Sequence, residues 1–176
     1  MNRQEASDFY RIHSKPLYNT ALRILRDSAE AEDVMQDTLL KYITGGVRSD
    51  SRAQASAWLR TTCVHMAIDR LRRRRREPST VDLFSLDSLD IVLPLEEEPV
   101  WDGPVPDIGL IRDVMEKLPD PYRLVLNLIL IEGMDYGEIS RLTSQKETTL
   151  RSIFSRGRAK LALNLNEMIA GISGEK

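Results

Sequence analysis

Five consecutive arginines, Arg72–Arg76, end a stretch of sequence whose residue types suit a nucleic-acid strand. Like charges this close repel one another, so the run destabilises the folded chain unless solvent or an anionic partner screens it. Guanidinium groups donate hydrogen bonds to phosphate oxygens, which makes a nucleic-acid backbone one expected partner. Taken alone, the run is equally typical of a nonspecific basic tail.

The residues before the arginines separate into two faces when they are placed on a helix. The apolar face gathers Leu59, Cys63, Val64, Ala67, Ile68 and Leu71. The other face carries an aromatic ring, hydroxyls and an imidazole, which can stack on bases and bond to base edges. Its members are Trp58, Thr61, Thr62, His65, Asp69 and Arg72, and Arg76 lies four residues further along. We expect Arg72 and Arg76 nearest the phosphates and Arg73–Arg75 to act mainly through long-range attraction. A second interpretation stays open, in which Trp58 is a core residue and His65 an ordinary surface residue.

Two further helices are predicted before this one. Apolar residues recur at helical spacing from Phe9 to Leu25, and Pro16 is expected to kink or divide that segment. Asp27 followed by Glu30 resembles a capping box that opens a helix from about residue 29 to residue 44. The outer face of this helix holds an apolar residue beside charged and amide side chains: Asp33, Gln36, Asp37, Leu40 and Lys41. That mixture fits either a docking surface or a plain solvated face.

The last third of the chain contains four helix signals. Asp107 can cap a helix that runs through Lys117, and Asp120 followed by Pro121 offers the start of another, which Gly133 ends. Asp135 with Glu138 opens the short helix YGEISRLT, and Ser144 with Glu147 opens a long helix toward Met168.

A short helix, a turn and a longer helix form the helix-turn-helix arrangement. The long helix carries hydroxyl and guanidinium groups near its start, as major-groove reading requires. Its polar residues are Lys146, Thr148, Arg151, Ser152, Ser155, Arg156 and Arg158, and its packing stripe is Leu150, Ile153, Gly157, Leu161, Leu165 and Met168.

Charge is distributed unevenly along the 176 residues, although the formal net charge is only −2. Residues 1–76 are basic, residues 77–107 hold nine acidic and no basic side chains together with five prolines, and residues 108–176 are nearly neutral. The middle stretch is predicted to be a linker between two small helical domains. Both a solvated tether and a nucleic-acid mimic fit its charge.

Composition excludes several classes of protein. The sequence has no apolar run of membrane-spanning length, and its polar start lacks the core of a secretory signal, so a cytoplasmic protein is expected. A single cysteine, Cys63, forms no internal disulfide and is expected to be a small buried residue. No catalytic Ser/His/Asp set, metal-ligand cluster or phosphate-binding glycine loop is present. We expect neither enzymatic activity nor a cofactor or metal.

Three stretches together resemble sigma-70 family RNA polymerase sigma factors of the extracytoplasmic-function (ECF) type. They are AEDVMQDTLLKYI, AWLRTTCVHMAIDRLRRRRR and LPDPYRLVLNLILIEGMDYGEISRL with the following TLRSIFSRGRAKL. The resemblance covers nearly the whole chain except the linker and implies an all-α protein with a region 2-like bundle and a region 4-like helix-turn-helix. It implies a bacterial promoter-specificity factor with no catalytic centre.

The resemblance also implies partners and sites. The face with Asp33, Gln36, Asp37, Leu40 and Lys41 matches the surface that docks on the β′ clamp coiled coil of core RNA polymerase, and region 4 matches a partner of the β flap. The resemblance implies that the minus-ten promoter element is contacted by the loop 48–54 and by Trp58, Arg60, Thr61, Thr62, His65, Arg72 and Arg76. The minus-thirty-five element falls to Lys146, Thr148, Thr149, Arg151, Ser152, Ser155, Arg156 and Arg158. Family anti-sigma regulators bind these same surfaces.

Two departures from the family pattern stand out. His65 occupies a position where asparagine is frequent, and RLTSQKETTL is about one residue longer than the usual turn and lacks its glycine, which predicts an open turn. Two alternatives remain: a sigma-like decoy that binds only an anti-sigma protein, and a stand-alone helix-turn-helix repressor.

Overall fold

The structure is a computed structural model that describes residues 3–47, 49–75 and 106–174. Every regular element within these residues is helical, so the prediction of an all-α fold is confirmed. The chain divides into two compact units, with the boundary between Thr80 and Val81. This boundary falls within the acidic linker, residues 77–107. The linker's two expected roles, as a solvated tether or a nucleic-acid mimic, lie outside the described residues, which include only Pro106 and Asp107 of the linker.

The first unit contains three helices, α1 (Arg3–Leu25), α2 (Ser28–Thr44) and α3 (Arg52–Arg75), and each packs against the other two. Their core gathers apolar faces that helical spacing predicts, including Ile24, Leu25, Val34, Leu59, Ile68 and Leu71. Cys63 is buried in this core, as expected, and its thiol donates to the Leu17 carbonyl at 3.4 Å.

Pro16 lies inside one continuous helix, α1, so the expected division of the segment is wrong, whereas a kink at Pro16 stays a prediction. Proline removes the hydrogen bond that an N–H at this position would donate to the Ile12 carbonyl, but that loss is local. Pro16 itself is exposed, whereas Leu17, Ala21 and Ile24 on the next turns are buried. Because α1 packs against both α2 and α3, burial of this face stabilises the helix across the missing bond.

The turn between α1 and α2 is fixed by two residues. Arg26 has a φ of 56°, in the left-handed region, and Asp27 accepts a hydrogen bond from the Glu30 backbone N–H at 2.9 Å. Asp27 is therefore the N-cap of α2, which begins one residue earlier than the sequence predicts. The Glu30 carboxylate, which a capping box would turn back toward Asp27, accepts a hydrogen bond from Arg74 of α3 at 3.1 Å.

Within residues 106–174, the second unit forms four α-helices and one π-helical turn: α4 (Ile108–Lys117), α5 (Asp120–Leu126), the π turn (Asn127–Ile131), α6 (Tyr136–Thr143) and α7 (Glu147–Gly174). Helix α7 packs against α4, α5 and α6 and so organises the unit. Two predicted caps are present. Asp107 accepts from the Gly109 N–H at 2.9 Å, and Asp135 and Glu138 form a complete capping box at the start of α6.

Asp120 is not the N-cap of α5, which corrects the sequence prediction. It is the first residue of the helix and Pro119 precedes it as the cap. The Asp120 carboxylate lies 2.9 Å from Nη2 of Arg123, whose side chain is almost fully buried. A buried guanidinium needs a compensating negative charge, and the Asp120 carboxylate supplies one to Arg123.

Ser144 ends α6 and does not begin α7, so the cap predicted at Ser144 is also wrong. It has φ 56° and ψ 23°, and its N–H donates to the Ser140 carbonyl at 2.8 Å. Helix α7 begins only at Glu147 and continues to Gly174, beyond the expected end near Met168. The connection between the two helices is therefore a three-residue turn, Ser144–Lys146.

Candidate functional site

The outer face of α2 presents the apolar and charged side chains that the sequence places there. Asp33, Gln36, Asp37, Leu40 and Lys41 are all exposed, and Leu40 exposes 58% of its surface. Ile43, one turn further along, exposes 47% and extends the apolar part of this face. Sequence reasoning missed Ile43, although its i+3 spacing from Leu40 was the available signal.

Asp33 and Gln36 of this face both have partners within the unit. The Asp33 carboxylate lies 3.2 Å from Nη1 of Arg70 on α3, and the same nitrogen donates to the Glu30 carbonyl. The Gln36 amide donates to Glu32 at 3.1 Å. Asp37 and Lys41 lie within one helical turn of Leu40, the exposed apolar residue of this face.

The polar face of α3 is only partly exposed. Arg60, Thr61 and His65 are exposed, Trp58, Thr62 and Arg72 are half-buried, and Arg76 lies outside the described residues. Arg72 Nη1 lies 3.8 Å from the Asp69 carboxylate. The face therefore combines exposed hydroxyl and imidazole groups with a partly buried ring and guanidinium.

Trp58 ends a row of aromatic rings that joins all three helices of the first unit. The Phe9 and Tyr42 rings stack at 4.9 Å, and Tyr42 meets Trp58 edge to face at 5.5 Å. The Tyr42 hydroxyl shares a 2.6 Å hydrogen bond with the Ser49 hydroxyl in the loop before α3. Trp58 is thus half-buried and packs against Tyr42 without being a fully buried core residue, and its stacking on a base stays a prediction.

His65 has a lowered pKa, chiefly because partial burial disfavours the charged ring. Lys41 lowers the pKa further, whereas Asp69 raises it. The lowered pKa favours the uncharged ring, in which one nitrogen donates and the other accepts a hydrogen bond. A neutral imidazole on an exposed face can bond to a base edge without adding to the charge of the arginines.

The start of α7 presents a second polar face. Lys146, Thr148, Arg151, Ser155 and Arg158 are exposed, and Thr149, Ser152 and Arg156 are half-buried. The Ser152 hydroxyl donates to the Thr148 carbonyl at 3.1 Å. The preceding turn is tied by Ser140, whose hydroxyl donates to the Gln145 carbonyl at 2.7 Å. The expectation of an open turn is therefore wrong, because Ser144 takes the left-handed conformation usually given to glycine.

Two aromatic rings that sequence reasoning missed lie beside the arginines of α7. The Arg151 guanidinium carbon lies 4.4 Å from the centroid of the Tyr136 ring, and Arg158 lies 5.7 Å from that of Phe154. The two rings meet edge to face at 6.2 Å. Phe154 could have been found from its spacing to Arg151 and Arg158, but Tyr136 comes from another helix. We call Tyr136, Phe154, Arg151 and Arg158 the arginine-aromatic row.

Arg156 faces the interior of the unit more than Arg151 and Arg158 do. Burial raises the pKa of Tyr122 on α5, and the positive charge of Arg156 opposes that shift, which places the guanidinium near this ring. Its Nε is buried and has no hydrogen-bond partner among the described residues. Arg156 is thus less available to a ligand than Arg151 or Arg158.

The described residues contain no group of three or more His, Cys, Asp or Glu side chains that could hold a metal ion. None of the helices in the described part of the chain combines the length and apolar composition that a membrane span requires.

Comparison with known proteins identifies the family. Residues 9–77 match sigma-70 region 2, and residues 108–161 match sigma-70 region 4. The chain is 31% identical over 160 residues to the ECF RNA polymerase sigma factor SigL of Mycobacterium tuberculosis, covering 90% of this chain and 88% of SigL. The chain belongs to the ECF sigma factors of the sigma-70 family.

Other relatives agree with this assignment. The ECF sigma factor SigM of M. tuberculosis is 25% identical over 172 residues, which cover 98% of this chain and 83% of SigM. SigW of Bacillus subtilis is 25% identical over 174 residues, which cover 92% and 89% of the two chains. This ECF sigma factor therefore acts with core RNA polymerase on promoter DNA.

A solved structure shares the fold. The sigma factor RpoE of Bartonella quintana, in complex with the anti-sigma factor NepR, matches with a TM-score of 0.53 and 22% identity over 93% of this chain and 98% of RpoE. For this ECF sigma factor the match shows the helical architecture alone.

Proposed function

We propose that this sigma factor docks on the β′ clamp coiled coil of core RNA polymerase through the outer face of α2. The observation that carries the proposal is the exposure of Leu40, an apolar side chain held among the exposed residues Gln36, Asp37 and Lys41. An apolar anchor with a polar rim is the usual anatomy of a protein interface. Exposing Leu40 and Ile43 to water stabilises nothing in the free chain, whereas burial against a partner would.

The polar face of α3 contacts the minus-ten element in this proposal. Trp58 offers the accessible part of its ring for stacking, and Thr61 and His65 offer hydrogen bonds to base edges. Arg60, Thr62, Arg72 and Arg76 complete the assignment. Residues 1–76 form the domain that carries both the docking face and this surface.

Region 4, residues 108–176, contacts the minus-thirty-five element through the first turns of α7 and binds the β flap. Of the residues assigned to this element, Arg151 and Arg158 are exposed and adjoin aromatic rings, whereas Arg156 is partly interior. We therefore assign base contacts first to Arg151 and leave Arg156 mainly a structural role.

An anti-sigma protein is the regulator that we propose for the same surfaces. The support is that the matching RpoE structure is a complex with an anti-sigma factor. In this proposal the protein works in the bacterial cytoplasm and acts as a specificity subunit of the polymerase, without enzymatic activity of its own.

The test is a measurement of the affinity of the full chain for purified core polymerase. Asp37→Arg with Leu40→Asp should weaken binding about thirtyfold or more, the loss typical of interface hot spots. Asp8→Arg with Tyr10→Asp on α1 serves as the control, because it likewise reverses one acidic charge and replaces one exposed apolar side chain with an acid. Both variants should keep the helicity of the parent chain. Parental affinity in the α2 variant, or an equal loss in the control, would show that this face does not dock.

A further inference from the structure

We propose that Tyr136 is a positioning residue that sets the orientation in which Arg151 meets a base pair of the minus-thirty-five element. The inference rests on the proposed base contact of Arg151 and adds a residue from a different helix. Its basis is the 4.4 Å separation between the Arg151 guanidinium carbon and the Tyr136 ring centroid.

The Tyr136 ring is held firmly enough to act as a support. Tyr136 is the first residue of α6, and the capping box of Asp135 and Glu138 fixes the backbone on both sides of it, with hydrogen bonds of 2.8 and 2.9 Å. The Tyr136 and Phe154 rings pack edge to face, with their centroids 6.2 Å apart. The residue is half-buried, so one part of the ring packs while the other remains available to Arg151.

Arg151 needs such a support because its side chain is long and 61% exposed. Without a contact it samples many rotamers, and binding DNA would have to order it at an entropic cost. A guanidinium stacked on a ring contacts it through its flat face, so its N–H donors stay in the plane and remain free to bond outward. Stacking therefore limits the rotamers of Arg151 without using the donors that a guanine requires.

Glu147 limits the guanidinium from a second direction. Its carboxylate lies 3.5 Å from Nη2 of Arg151, and it sits one helical turn earlier on α7. The ring and the carboxylate together define the position of the guanidinium in the free protein. Because the carboxylate contacts the N–H edge, a base must displace it, whereas the Tyr136 ring can keep its contact in the complex.

The experiment measures the affinity of holoenzyme for a panel of promoters in which each minus-thirty-five base pair is changed in turn. Tyr136→Phe keeps the ring and should bind within about twofold of the parent. Tyr136→Leu removes the ring and should weaken binding to the best promoter about three- to tenfold. The loss of discrimination should fall on the same base pair that Arg151→Ala affects. In the Arg151→Ala background, Tyr136→Leu should add no further loss.

Each of the following outcomes would overturn the proposal. Tyr136→Leu could weaken all promoters equally, or could weaken binding just as much when Arg151 is already alanine, which would make it a structural residue. Discrimination could also survive the substitution. If Arg151→Ala itself leaves discrimination unchanged at every position, the base contact under "Proposed function" fails, and the positioning role fails with it. If Arg151→Ala loses discrimination at one base pair while Tyr136→Leu keeps it, the base contact of Arg151 stands and only the positioning role of Tyr136 fails.

A second variant keeps the test decisive if Tyr136→Leu unfolds. Pentafluorophenylalanine at position 136 keeps the shape of the ring but removes the negative face that attracts a cation. The expected result is the same relaxation at one base pair with an unchanged unfolding temperature. Parental discrimination with this ring would overturn the role of stacking.

Discussion

Arg74 joins the end of α3 to both other helices of the first unit. Its Nη1 donates to Glu30 Oε2 at 3.1 Å, and its Nη2 donates to the Leu25 carbonyl at 3.2 Å. The first contact lies at the start of α2 and the second at the last residue of α1. One arginine of the run therefore has a partner inside the protein, and an arginine beside a free helix-terminal carbonyl is favourable because the carbonyls there carry partial negative charge.

Arg74→Ala should lower the free energy of unfolding of the first unit by about 1 kcal/mol, since the pair with Glu30 is partly exposed. Arg73→Ala is the matched control, because Arg73 is an exposed neighbour in the same helix and its loss should change stability by less than about 0.5 kcal/mol. Urea unfolding followed by helical circular dichroism measures both. Equal midpoints for the two variants would show that the contacts of Arg74 add no stability.

The difference between Arg74 and its neighbours illustrates what helical spacing can predict. Spacing places each residue on a face of its own helix, and it correctly predicts the core position of Cys63 and the exposure of Leu40. Local cap signatures correctly predict the caps at Asp107 and Asp135. Spacing does not say which distant element covers a face. The partner of Arg74 is 44 residues away, so no local pattern contains it.

The wrong predictions have the same origin. The sequence around Asp120 and Ser144 fits a cap signature, but Arg123 is buried and α6 ends at Ser144, so tertiary contacts and backbone conformation decide both. The pairing of Tyr136 with Arg151 also joins two helices across the turn. The fold class was predictable because every segment shows helical spacing, whereas the details of the site depend on contacts between segments.

Ser144 adopts a conformation that costs a non-glycine residue about 1 kcal/mol. Ser144→Gly should therefore raise the stability of the second unit by about 0.5–1 kcal/mol, after allowance for the greater freedom of glycine in the unfolded chain. Ser144→Ala keeps the unfavourable φ and should give no gain. Thermal unfolding of both variants gives the comparison, and a glycine variant less stable than the alanine variant would contradict the argument.

Gly157 allows the close approach of α7 to α5. A Cβ at this position would lie 3.2 Å from Tyr122 Cβ and 3.3 Å from Leu126 Cδ1, closer than ordinary van der Waals contact. Gly157→Val should lower stability by about 1–3 kcal/mol, because the added methyl groups meet a packed core.

Gly171→Val is the matched control on the same helix, since a Cβ there has nothing within 4 Å. It should be neutral or slightly stabilising, because valine has the better helix propensity. Unfolding midpoints that fall equally in both variants would mean that valine in α7, and not the contact with α5, causes the loss.

Arg72 and Arg76 should differ from Arg74 in how strongly their loss changes the salt dependence of promoter binding. Arg72 lies on the polar face of α3 with Asp69, whereas Arg74 is directed to Glu30. Arg72→Ala with Arg76→Ala should weaken binding to every promoter and reduce the slope of log affinity against log salt by about 2, since each phosphate contact contributes about 0.9 on duplex or 0.7 on single-stranded DNA. Base preference should not change, because phosphate contacts carry no sequence information.

Arg74→Ala should leave the slope nearly unchanged while it lowers stability. Holoenzyme affinity measured between about 50 and 200 mM salt tests both variants. If the slope falls with Arg74→Ala and not with the Arg72→Ala and Arg76→Ala pair, the phosphate contacts belong to Arg74, and their assignment to Arg72 and Arg76 is wrong.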